Sequence, residues 1–354
     1  AGEENEASKM NNPDEEEGCR IRLWPPWGAE AWLPSLQLFT KRRLVGCLAV
    51  VTVTVIMLLF QCIELHRHHQ CCRPEPDEHV NADLVYRQHI RYRHTKRRLP
   101  SCLIIGVRKG GTRALLEFLN LHPSIQAEKR EMHFFDNDNN FALGLDWYRK
   151  QMPFSFADQI TIEKTPAYFV SEEAPERIYA MNSSVRLILV IREPTQRAIS
   201  DYMQIHSNRL MKNKPHESFE ELVINEETGD VRKSYNAVRR SMYHKHMARW
   251  LKWFPLRNFH FVVGENLVAD PLTELAKVEK FLSIEHKLTE DYFFYNKTRG
   301  FFCIHKESHE KCLARSKGRK HPKVDPIIIG KLHDFFRPHN QIFYDLINRD
   351  FGWP

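Results

Sequence analysis

The sequence contains no internal repeat and no series of coiled-coil heptads, which excludes repeat and coiled-coil architectures for its 354 residues. The histidines and cysteines at positions 66–72 lack the spacing of a closed zinc site, and we interpret the His-, Arg- and Pro-rich segment around them as a solvated linker. The turn at residues 106–113 lacks the complete Walker motif, in which a lysine and a hydroxyl residue directly follow the last glycine. This absence disfavours a nucleotide kinase.

One long apolar run is present. Leu44–Ile63 spans 20 residues without a charged side chain, which is enough to cross a bilayer as a helix. Lys41–Arg43 precede it and favour a cytosolic N-terminus, although the other flank is also basic. The run begins far along the chain and no A-x-A site follows it, so a cleaved signal peptide is disfavoured. We therefore predict a cytosolic tail at 1–43, a membrane signal-anchor helix at 44–63, a stem at 64–98 and a lumenal domain at 99–354.

The cysteines and sequons agree with a lumenal domain. Cys303 and Cys312 are close in sequence and predict a disulfide-closed hairpin loop, whereas Cys102 lies in a predicted buried strand and is expected to be a free thiol. N-x-[ST] motifs make Asn182 and Asn296 candidate glycosylation sites, although this motif is common by chance. The net charge of +7 suggests anionic partners, such as nucleotides, nucleic acids, sulfated sugars or membrane surfaces.

Apolar runs of strand length alternate with helical patterns after residue 99. The predicted strands are Cys102–Val107, Ile160–Glu163, Val185–Ile191 and Phe259–Val263. The predicted helices are Thr112–Leu121, Glu172–Met181, Thr195–Ile205, Ala237–Trp253, Leu272–Leu282, Pro326–Phe336 and Asn340–Ile347. This alternation predicts an α/β domain with a central parallel sheet and helices on both of its faces. The run Val185–Ile191 is almost continuously apolar, which is typical of a strand buried on both faces.

The stretch Cys102–Leu116 combines a strand, a glycine turn and a helix in the order that directs backbone N–H groups and the positive end of a helix at an anion. Arg108, Lys109 and Arg113 add positive charge there. Because the lysine precedes the paired glycines instead of following them, we interpret the loop as a site for an anionic nucleotide whose chemistry need not use a metal. The alternative is an ordinary βα turn with two glycines for positive φ.

Cations follow three of the predicted strands. Lys109, Lys164 and Arg192 each lie at the carboxyl end of a strand. Because the carboxyl ends of parallel strands meet at one edge of a sheet, we expect these side chains to share one rim. The sequence therefore predicts a site for a ligand that carries several negative charges.

A segment rich in acidic and aromatic residues lies between the first predicted helix and the second strand. Glu131, His133 and Asp136 lie among aromatic side chains, a setting that can raise the pKa of a carboxylate towards the range of a general base. Asp136 and Asp138 also form a D-x-D motif, which suggests a metal-dependent glycosyltransferase as an alternative. Such a fold would leave the anion loop after the first strand unexplained.

Five motifs occur in the order VRKGGTRALL, EMHFFDND, IEKTPAYF, IREPTQRAISDY and SKGRKHP. Together they resemble the heparan sulfate glucosamine 3-O-sulfotransferases, and among these most the isoform 5 type, over Leu99–Pro354. The resemblance implies a P-loop-like sulfotransferase domain that moves a sulfuryl group from 3′-phosphoadenosine 5′-phosphosulfate (PAPS) to the 3-hydroxyl of glucosamine residues in heparan sulfate. It also implies a Golgi membrane protein that needs no metal for catalysis and has no nucleic acid partner.

The resemblance further implies a donor site made of three groups of residues. The loop matching the 5′-phosphosulfate site consists of Lys109, Gly110, Gly111, Thr112 and Arg113. The pair matching the 3′-phosphate site consists of Arg192 and Ser200. The basic segment matching one that closes on the nucleotide consists of Lys317, Gly318, Arg319, Lys320 and His321.

For the reaction, the resemblance implies that Glu131 is the general base and that His133 and Asp136 are its neighbours. Lys109, Lys164 and His133 would stabilise the charge that develops on the transferring group and on the departing oxygen. The implied acceptor-contacting residues are Glu131, Lys164, Gln204, Tyr235 and Asn236. A glycan-binding protein without activity is a further alternative, but such a protein would be expected to have lost the base.

Overall fold

The structure is a computed structural model that describes Met57, Gln61 and residues 94–306, 309–314 and 322–354. Every element described below belongs to the unit His79–Pro354. The predicted anchor Leu44–Ile63 lies outside the described residues apart from Met57 and Gln61, and so do the predicted tail and most of the predicted stem. Among the helices of the described residues, none is long and apolar enough to span a membrane.

The described elements alternate along the chain. The strands are β1 (Lys96–Arg97), β2 (Cys102–Gly106), β3 (Ile125–Ala127), β4 (Phe154–Ser155), β5 (Ile160–Lys164), β6 (Arg186–Ile191), β7 (Phe259–Val263), β8 (Phe293–Asn296), β9 (Phe301–Lys306) and β10 (His309–Lys311). The helices are α1 (Thr112–Leu119), α2 (Asp138–Phe141), α3 (Gly144–Gln151), α4 (Ala174–Met181), α5 (Pro194–Leu210), α6 (Phe219–Val223), α7 (Asn236–Ser241), α8 (Tyr243–Trp250), α9 (Gly264–Ala269), α10 (Pro271–Leu282) and α11 (Pro326–Ile347).

A five-stranded sheet lies at the centre, in the order β3-β5-β2-β6-β7, and all of its pairings are parallel. This confirms the predicted α/β class and central parallel sheet. β8, β9 and β10 form a separate antiparallel sheet. β1, which precedes the predicted start of the domain at residue 99, pairs with β4. The predictions missed β1, β3, β4 and β8, because runs of two to four residues carry little recognisable alternation.

β6 is covered on both faces of the sheet, which explains why its sequence is apolar at almost every position. Leu187, Leu189 and Ile191 pack into a cluster on one face of the sheet with side chains of α8 and α11. Ile188 and Val190 pack into a second cluster on the other face with side chains of α1 and α10. Each such side chain stabilises the fold by about 1.5–3 kcal/mol when fully buried. The prediction of a strand buried on both faces is confirmed.

Three predicted helices are divided or joined in the structure. The predicted helix Ala237–Trp253 is divided into α7 and α8 because Met242 has a ψ of 72°, which is outside the helical region. The helices predicted before and after Pro338 are one continuous helix, α11. Proline lacks an N–H group and normally interrupts a helix. Phe336 and Phe343 flank Pro338 and are both fully buried, so packing on both sides holds the helix together.

The turn after β2 lies in direct backbone contact with its neighbours. A Cβ atom on Gly110 would lie 2.2 Å from the carbonyl oxygen of Val190, and one on Gly264 would lie 2.3 Å from the carbonyl oxygen of Gly110. Gly111, which precedes α1, has a φ of 119°, which side chains rarely allow. Backbone packing between the turn, the end of β6 and the start of α9 therefore sets the path of the turn.

We expect Gly264→Ala to lower the free energy of unfolding by about 1–3 kcal/mol, because the new methyl group forces backbone atoms apart. Gly330→Ala is the matched control, since a Cβ atom at that helical position meets nothing within 4 Å. Alanine is the better helix former there, so this variant should gain about 0.5–1 kcal/mol. Denaturant unfolding of both variants checks this expectation, and equal effects of the two substitutions would contradict it.

Candidate functional site

A cavity of about 1270 Å³ opens at the carboxyl edge of the central sheet. Its lining includes Lys109 after β2, Lys164 at the end of β5 and Arg192 after β6. The structure thus brings the three cations expected at one rim into one cavity. The volume exceeds the roughly 300–1000 Å³ of a typical small-molecule site, so there is room for a nucleotide and part of a second ligand.

The start of α1 forms one wall of this cavity. Gly110, Gly111, Thr112 and Arg113 all line it, and the N-cap residue, Gly111, has no side chain that could cap the helix. The first turn of α1 also lacks acidic residues. The N–H groups at a helix start have no intrahelical acceptors and carry partial positive charge, so they favour an anion. Arg113 donates a hydrogen bond of 2.5 Å from Nη1 to the carbonyl oxygen of Lys129.

A fully buried carboxylate, that of Asp201, lies behind the cavity wall and pairs with three arginines. Its Oδ1 lies 2.8 Å from Nε of Arg108, and its Oδ2 lies 3.1 Å from Nη1 of Arg197 and 3.4 Å from Nη1 of Arg240. Burial acts to raise the pKa of Asp201, but the charges of Arg197 and Arg108 bring it below its ordinary value. One anion therefore joins the turn after β2 to α5 and α7.

A second acidic residue orients Arg192. Glu265 follows β7, and its Oε1 accepts a hydrogen bond of 3.1 Å from the backbone N–H of Glu193 and lies 3.6 Å from Nε of Arg192. The carboxylate of Glu193 caps the first turn of α5. Ser200 lies further along α5 and lines the same cavity as Arg192. Arg192 and Ser200 therefore line one cavity, and their role as a 3′-phosphate pair stays a prediction.

Glu131, Lys164 and His133 form a charged cluster in the cavity wall. Nζ of Lys164 donates a hydrogen bond to Oε1 of Glu131, and Nε2 of His133 lies 3.7 Å from Oε2 of Glu131. Nδ1 of His133 lies 2.8 Å from Oδ2 of Asp136, which is behind the imidazole and outside the cavity lining. Lys164 is 2% exposed, whereas Glu131 is 44% exposed.

The expectation of a raised pKa at Glu131 is wrong. The ion pair with His133 outweighs the effect of burial and, together with Lys164, lowers the pKa of Glu131 to about 2. Asp136 and Glu131 raise the pKa of His133 to about 10. The neighbouring rings of Phe134 and Phe135 are fully buried and pack in the core, so they do not enclose the carboxylate. The cluster is an ionised carboxylate held between two cations.

The D-x-D carboxylates do not converge on a common point. Asp136 faces His133, and Oδ1 of Asp138 lies 2.5 Å from Nη2 of Arg177. Both are therefore already paired with side chains that carry positive charge. Within residues 94–306, 309–314 and 322–354, no cluster of three or more His, Cys, Asp or Glu side chains is arranged to bind a metal. This pairing of the two carboxylates disfavours the glycosyltransferase alternative.

The predicted acceptor-contacting residues are not all in one place. Gln204 lines the cavity, whereas Tyr235 and Asn236 lie outside its lining. Tyr235 packs against the apolar cluster around α5 and α11, and Oδ1 of Asn236 accepts a hydrogen bond of 2.9 Å from Arg239. A role of Tyr235 and Asn236 in acceptor binding stays a prediction.

The antiparallel sheet β8–β10 closes one side of the cavity. The predicted disulfide between Cys303 and Cys312 is present there, and Cys312 lines the cavity. Nζ of Lys311 lies 3.1 Å from Oε2 of Glu117, which ties this small sheet to α1. The predicted basic segment Lys317–His321, which follows β10, lies outside the described residues.

The remaining predicted sites do not line the cavity. Asn182 ends α4, and its Oδ1 accepts a hydrogen bond of 2.8 Å from the N–H of Ser184. Asn296 ends β8, and its Nδ2 lies 3.6 Å from Sγ of Cys312. Glycosylation of either asparagine stays a prediction. Cys102 is a buried free thiol, as expected, and burial raises its pKa to about 12.

Sequence reasoning missed several charged residues of the site. They are Arg197, Asp201, Arg240, Glu265 and Arg299. Arg197 and Asp201 are spaced i, i+4 on one helix, which is a recognisable signal. Glu265 follows the predicted strand Phe259–Val263, so the rule that brings strand ends to one rim could also have found it. Arg240 and Arg299 reach the site through tertiary packing between segments that are distant in sequence.

Comparison with known proteins places this chain among sulfotransferases. Residues 99–344 match the family model described as "Sulfotransferase domain". The chain is 55% identical over 257 residues to heparan sulfate glucosamine 3-O-sulfotransferase 5 of Mus musculus, a match that covers 72% of this chain and 74% of that protein. The match to the Homo sapiens protein of the same name is 52% over 269 residues and covers 76% and 78%. The match to heparan sulfate glucosamine 3-O-sulfotransferase 6 of Homo sapiens is 47% over 261 residues and covers 73% and 75%.

A solved structure has a similar fold. The crystal structure of a sulfotransferase from Alicyclobacillus acidocaldarius superposes with a TM-score of 0.53, covering 72% of this chain and 98% of that one. The sequence identity is 19%, so this similarity concerns the fold alone. It agrees with the central parallel sheet flanked by helices.

We expect Asp201→Asn to lower the free energy of unfolding by about 3–5 kcal/mol at neutral pH, because it leaves Arg197 buried without a counter-charge. The folded-state pKa of Asp201 is below its ordinary value. The carboxylate therefore stabilises the fold above its unfolded-state pKa, and this contribution is lost as the pH falls through the folded-state pKa. The difference between variant and wild type should shrink on acidification.

Urea unfolding at several pH values measures this difference. Asp146→Asn is the matched control, because Asp146 also pairs with an arginine at 2.9 Å but is 85% exposed. Exposed pairs contribute at most about 1 kcal/mol. Similar losses of stability in the two variants would contradict the importance assigned to Asp201.

Proposed function

The chain belongs to the sulfotransferase domain family, and within it to the heparan sulfate glucosamine 3-O-sulfotransferases, and on this basis we propose that it transfers a sulfuryl group from PAPS to the 3-hydroxyl of glucosamine residues in heparan sulfate. The observation that carries the proposal is that Glu131 and Lys164 line the same cavity as the anion loop after β2. One cavity thus offers cations for a sulfated nucleotide and a carboxylate for a sugar hydroxyl.

The donor site that we propose follows the charges of the cavity. The uncapped start of α1 and the side chains of Lys109 and Arg113 suit a phosphosulfate. Arg192, oriented by Glu265, and Ser200 suit a second phosphate at the neighbouring strand end. When bound, PAPS supplies an activated sulfuryl group. The proposed remainder of the donor site is the segment Lys317–His321, whose four basic side chains would cover the nucleotide.

Glu131 is the proposed general base. With a pKa of about 2, its carboxylate is ionised near neutral pH and can accept the proton of a sugar hydroxyl. It is a weak base while both Lys164 and His133 contact it. Anionic groups in the cavity compete with Glu131 for Lys164, and each contact that Lys164 gives up raises the basicity of Glu131.

The cations of the cavity have the complementary role. His133 has a pKa of about 10 and is therefore positively charged near neutral pH, with Asp136 fixing the orientation of its ring. Together with Lys109 and Lys164, it can stabilise negative charge that develops during transfer. These side chains supply positive charge, as magnesium does in many phosphoryl-transfer enzymes, and we propose that no metal is required.

We propose that the protein is a single-pass type II protein of the Golgi membrane with its catalytic domain in the lumen. The uncharged segment Leu44–Ile63, preceded by Lys41–Arg43, supports the anchor and its orientation. The disulfide between Cys303 and Cys312 agrees with an oxidising compartment. The proposed partners are the membrane, through Leu44–Ile63, and heparan sulfate as acceptor.

We expect the full chain to transfer label from [³⁵S]PAPS to heparan sulfate with and without manganese, and disaccharide mapping to place the label on the 3-hydroxyl of glucosamine. Label at another position, or none, would refute the proposed function.

Glu131→Gln tests the base separately. It should fold and bind adenosine 3′,5′-bisphosphate normally but lose about 10²–10⁴-fold in turnover. Turnover of this variant close to that of wild type would reject Glu131 as the base.

We expect Arg192→Ala to weaken binding of adenosine 3′,5′-bisphosphate by about 10- to 100-fold, since a hydrogen bond to a charged group contributes about 1.5–3 kcal/mol. Turnover at saturating PAPS should change much less, because the proposed contact is remote from the transferring group. Arg257→Ala is the control, because Arg257 is exposed in the turn before β7, at the opposite edge of the sheet. Calorimetry compares the variants, and unchanged affinity of Arg192→Ala would remove this residue from the donor site.

A further inference from the structure

The backbone that carries the charged cluster is in an unusual conformation. His133 has a φ of 47°, in the left-handed region that residues other than glycine seldom adopt. Its imidazole lies between Glu131 and Asp136, so the position of the ring depends on this backbone angle. A strained residue keeps such a conformation only where its surroundings enforce it.

On one side, hydroxyl groups accept hydrogen bonds from successive N–H groups of this segment. Oγ1 of Thr165 accepts from the N–H of Met132 at 3.0 Å and from that of His133 at 3.4 Å. The hydroxyl of Tyr168 accepts from the N–H of Phe134 at 3.2 Å. Both hydroxyl residues are fully buried, so water does not compete for these N–H groups.

On the other side, an amide binds the carbonyl groups of the same residues. Nδ2 of Asn140 donates hydrogen bonds of 3.2 Å to the carbonyl oxygen of Met132 and of 2.9 Å to that of His133. Met132 and His133 are thus held from both sides through their own backbone groups. This arrangement fixes the peptide planes on either side of the strained angle.

The orientation of the Thr165 hydroxyl is itself determined by a buried acid. Thr165 donates a hydrogen bond of 2.5 Å to Oε1 of Glu163, which is fully buried, and Tyr148 donates one of 3.2 Å to Oε2. A hydroxyl has one proton, so donating it to Glu163 leaves only its lone pairs for the N–H groups of the segment. The buried acid therefore makes Thr165 an acceptor towards Met132 and His133.

We propose that Thr165 is a positioning residue for the reaction. Oriented by Glu163 and opposed by Asn140, it holds His133 in the left-handed conformation that places the imidazole against Glu131. This inference rests on the proposed function, because it assigns the geometry of the proposed catalytic cluster. Thr165 itself does not line the cavity, so it acts through His133.

Burial of a threonine does not by itself require such a contact in this fold. Thr195 is also fully buried, and its Oγ1 has no hydrogen-bond partner among the described residues. It lies at the start of α5 and outside the cavity lining. Thr195→Val is therefore a matched control, because it removes a buried hydroxyl that makes no hydrogen bond to the part of the chain that the structure describes.

The first experiment compares Thr165→Val, Thr165→Ser and Thr195→Val in the full chain. We expect Thr165→Val to lower kcat by about 10- to 100-fold, as a misplacement of about 1 Å can do, and to leave the affinity for adenosine 3′,5′-bisphosphate unchanged. Thr165→Ser keeps the hydroxyl and should restore kcat, and Thr195→Val should keep wild-type kcat. A fall in kcat that serine does not restore, or no fall in Thr165→Val, would overturn the proposal.

A double-mutant cycle tests whether Thr165 acts through His133. His133→Asn removes the imidazole but keeps a residue that tolerates positive φ. In this background we expect Thr165→Val to cause less than about a threefold further loss, since coupled residues are not additive. Full additivity would overturn the proposal. If Thr165→Val does not fold, Asn140→Ala replaces it in the same cycle, because Asn140 contacts the segment from the half-exposed side.

A readout without turnover separates this inference from the proposed function. The NMR signal of the His133 imidazole is assigned by its absence from the spectrum of His133→Asn. Titration of this signal should give a lower pKa in Thr165→Val than in wild type, because the ring moves away from Glu131 and Asp136. An unchanged pKa would overturn the proposal. A wild-type chain without sulfuryl transfer would refute the proposed function and leave this measurement valid.

Discussion

One buried interaction, between Asp201 and three arginines, underlies the rest of the site. Arginines that face a common cavity repel one another, and the repulsion is strong where water is excluded. Asp201 offsets this repulsion from behind the wall and leaves the cavity side of Arg108 and Arg240 positively charged. The same carboxylate ties Arg108, in the turn after β2, to α5. A cavity rich in cations is therefore compatible with a stable fold because its counter-charge is inside the protein.

The parts of the site that the sequence predicts are those that local rules determine. Lys109, Lys164 and Arg192 meet because they follow parallel strands, and those strands are recognisable as apolar runs. Arg240 could not be predicted, because it reaches the site from an element whose position depends on packing with distant segments. The predicted helix boundaries were wrong for a similar reason. Burial of the side chains around Pro338 keeps α11 continuous, and the non-helical backbone of Met242 separates α7 from α8.

The electrostatics of Glu131 show a different limit of sequence reasoning. Glu131 and Phe134 are close in sequence, but the carboxylate faces the cavity and the phenyl ring is buried in the core. Proximity along the chain therefore suggested an apolar environment, whereas the environment in space consists of Lys164 and His133. Opposite charges lower the pKa of a carboxylate, and apolar surroundings raise it. Predicting the direction of the shift requires knowing which way each side chain points.

The ion pair between Lys311 of the small sheet and Glu117 of α1 joins residues that are 194 positions apart. Contacts of such high sequence separation form late, because the intervening chain must first be ordered. During synthesis the anion loop emerges long before the small sheet that closes one side of the cavity. The cavity of the nascent domain is therefore open on this side until the small sheet has docked on α1.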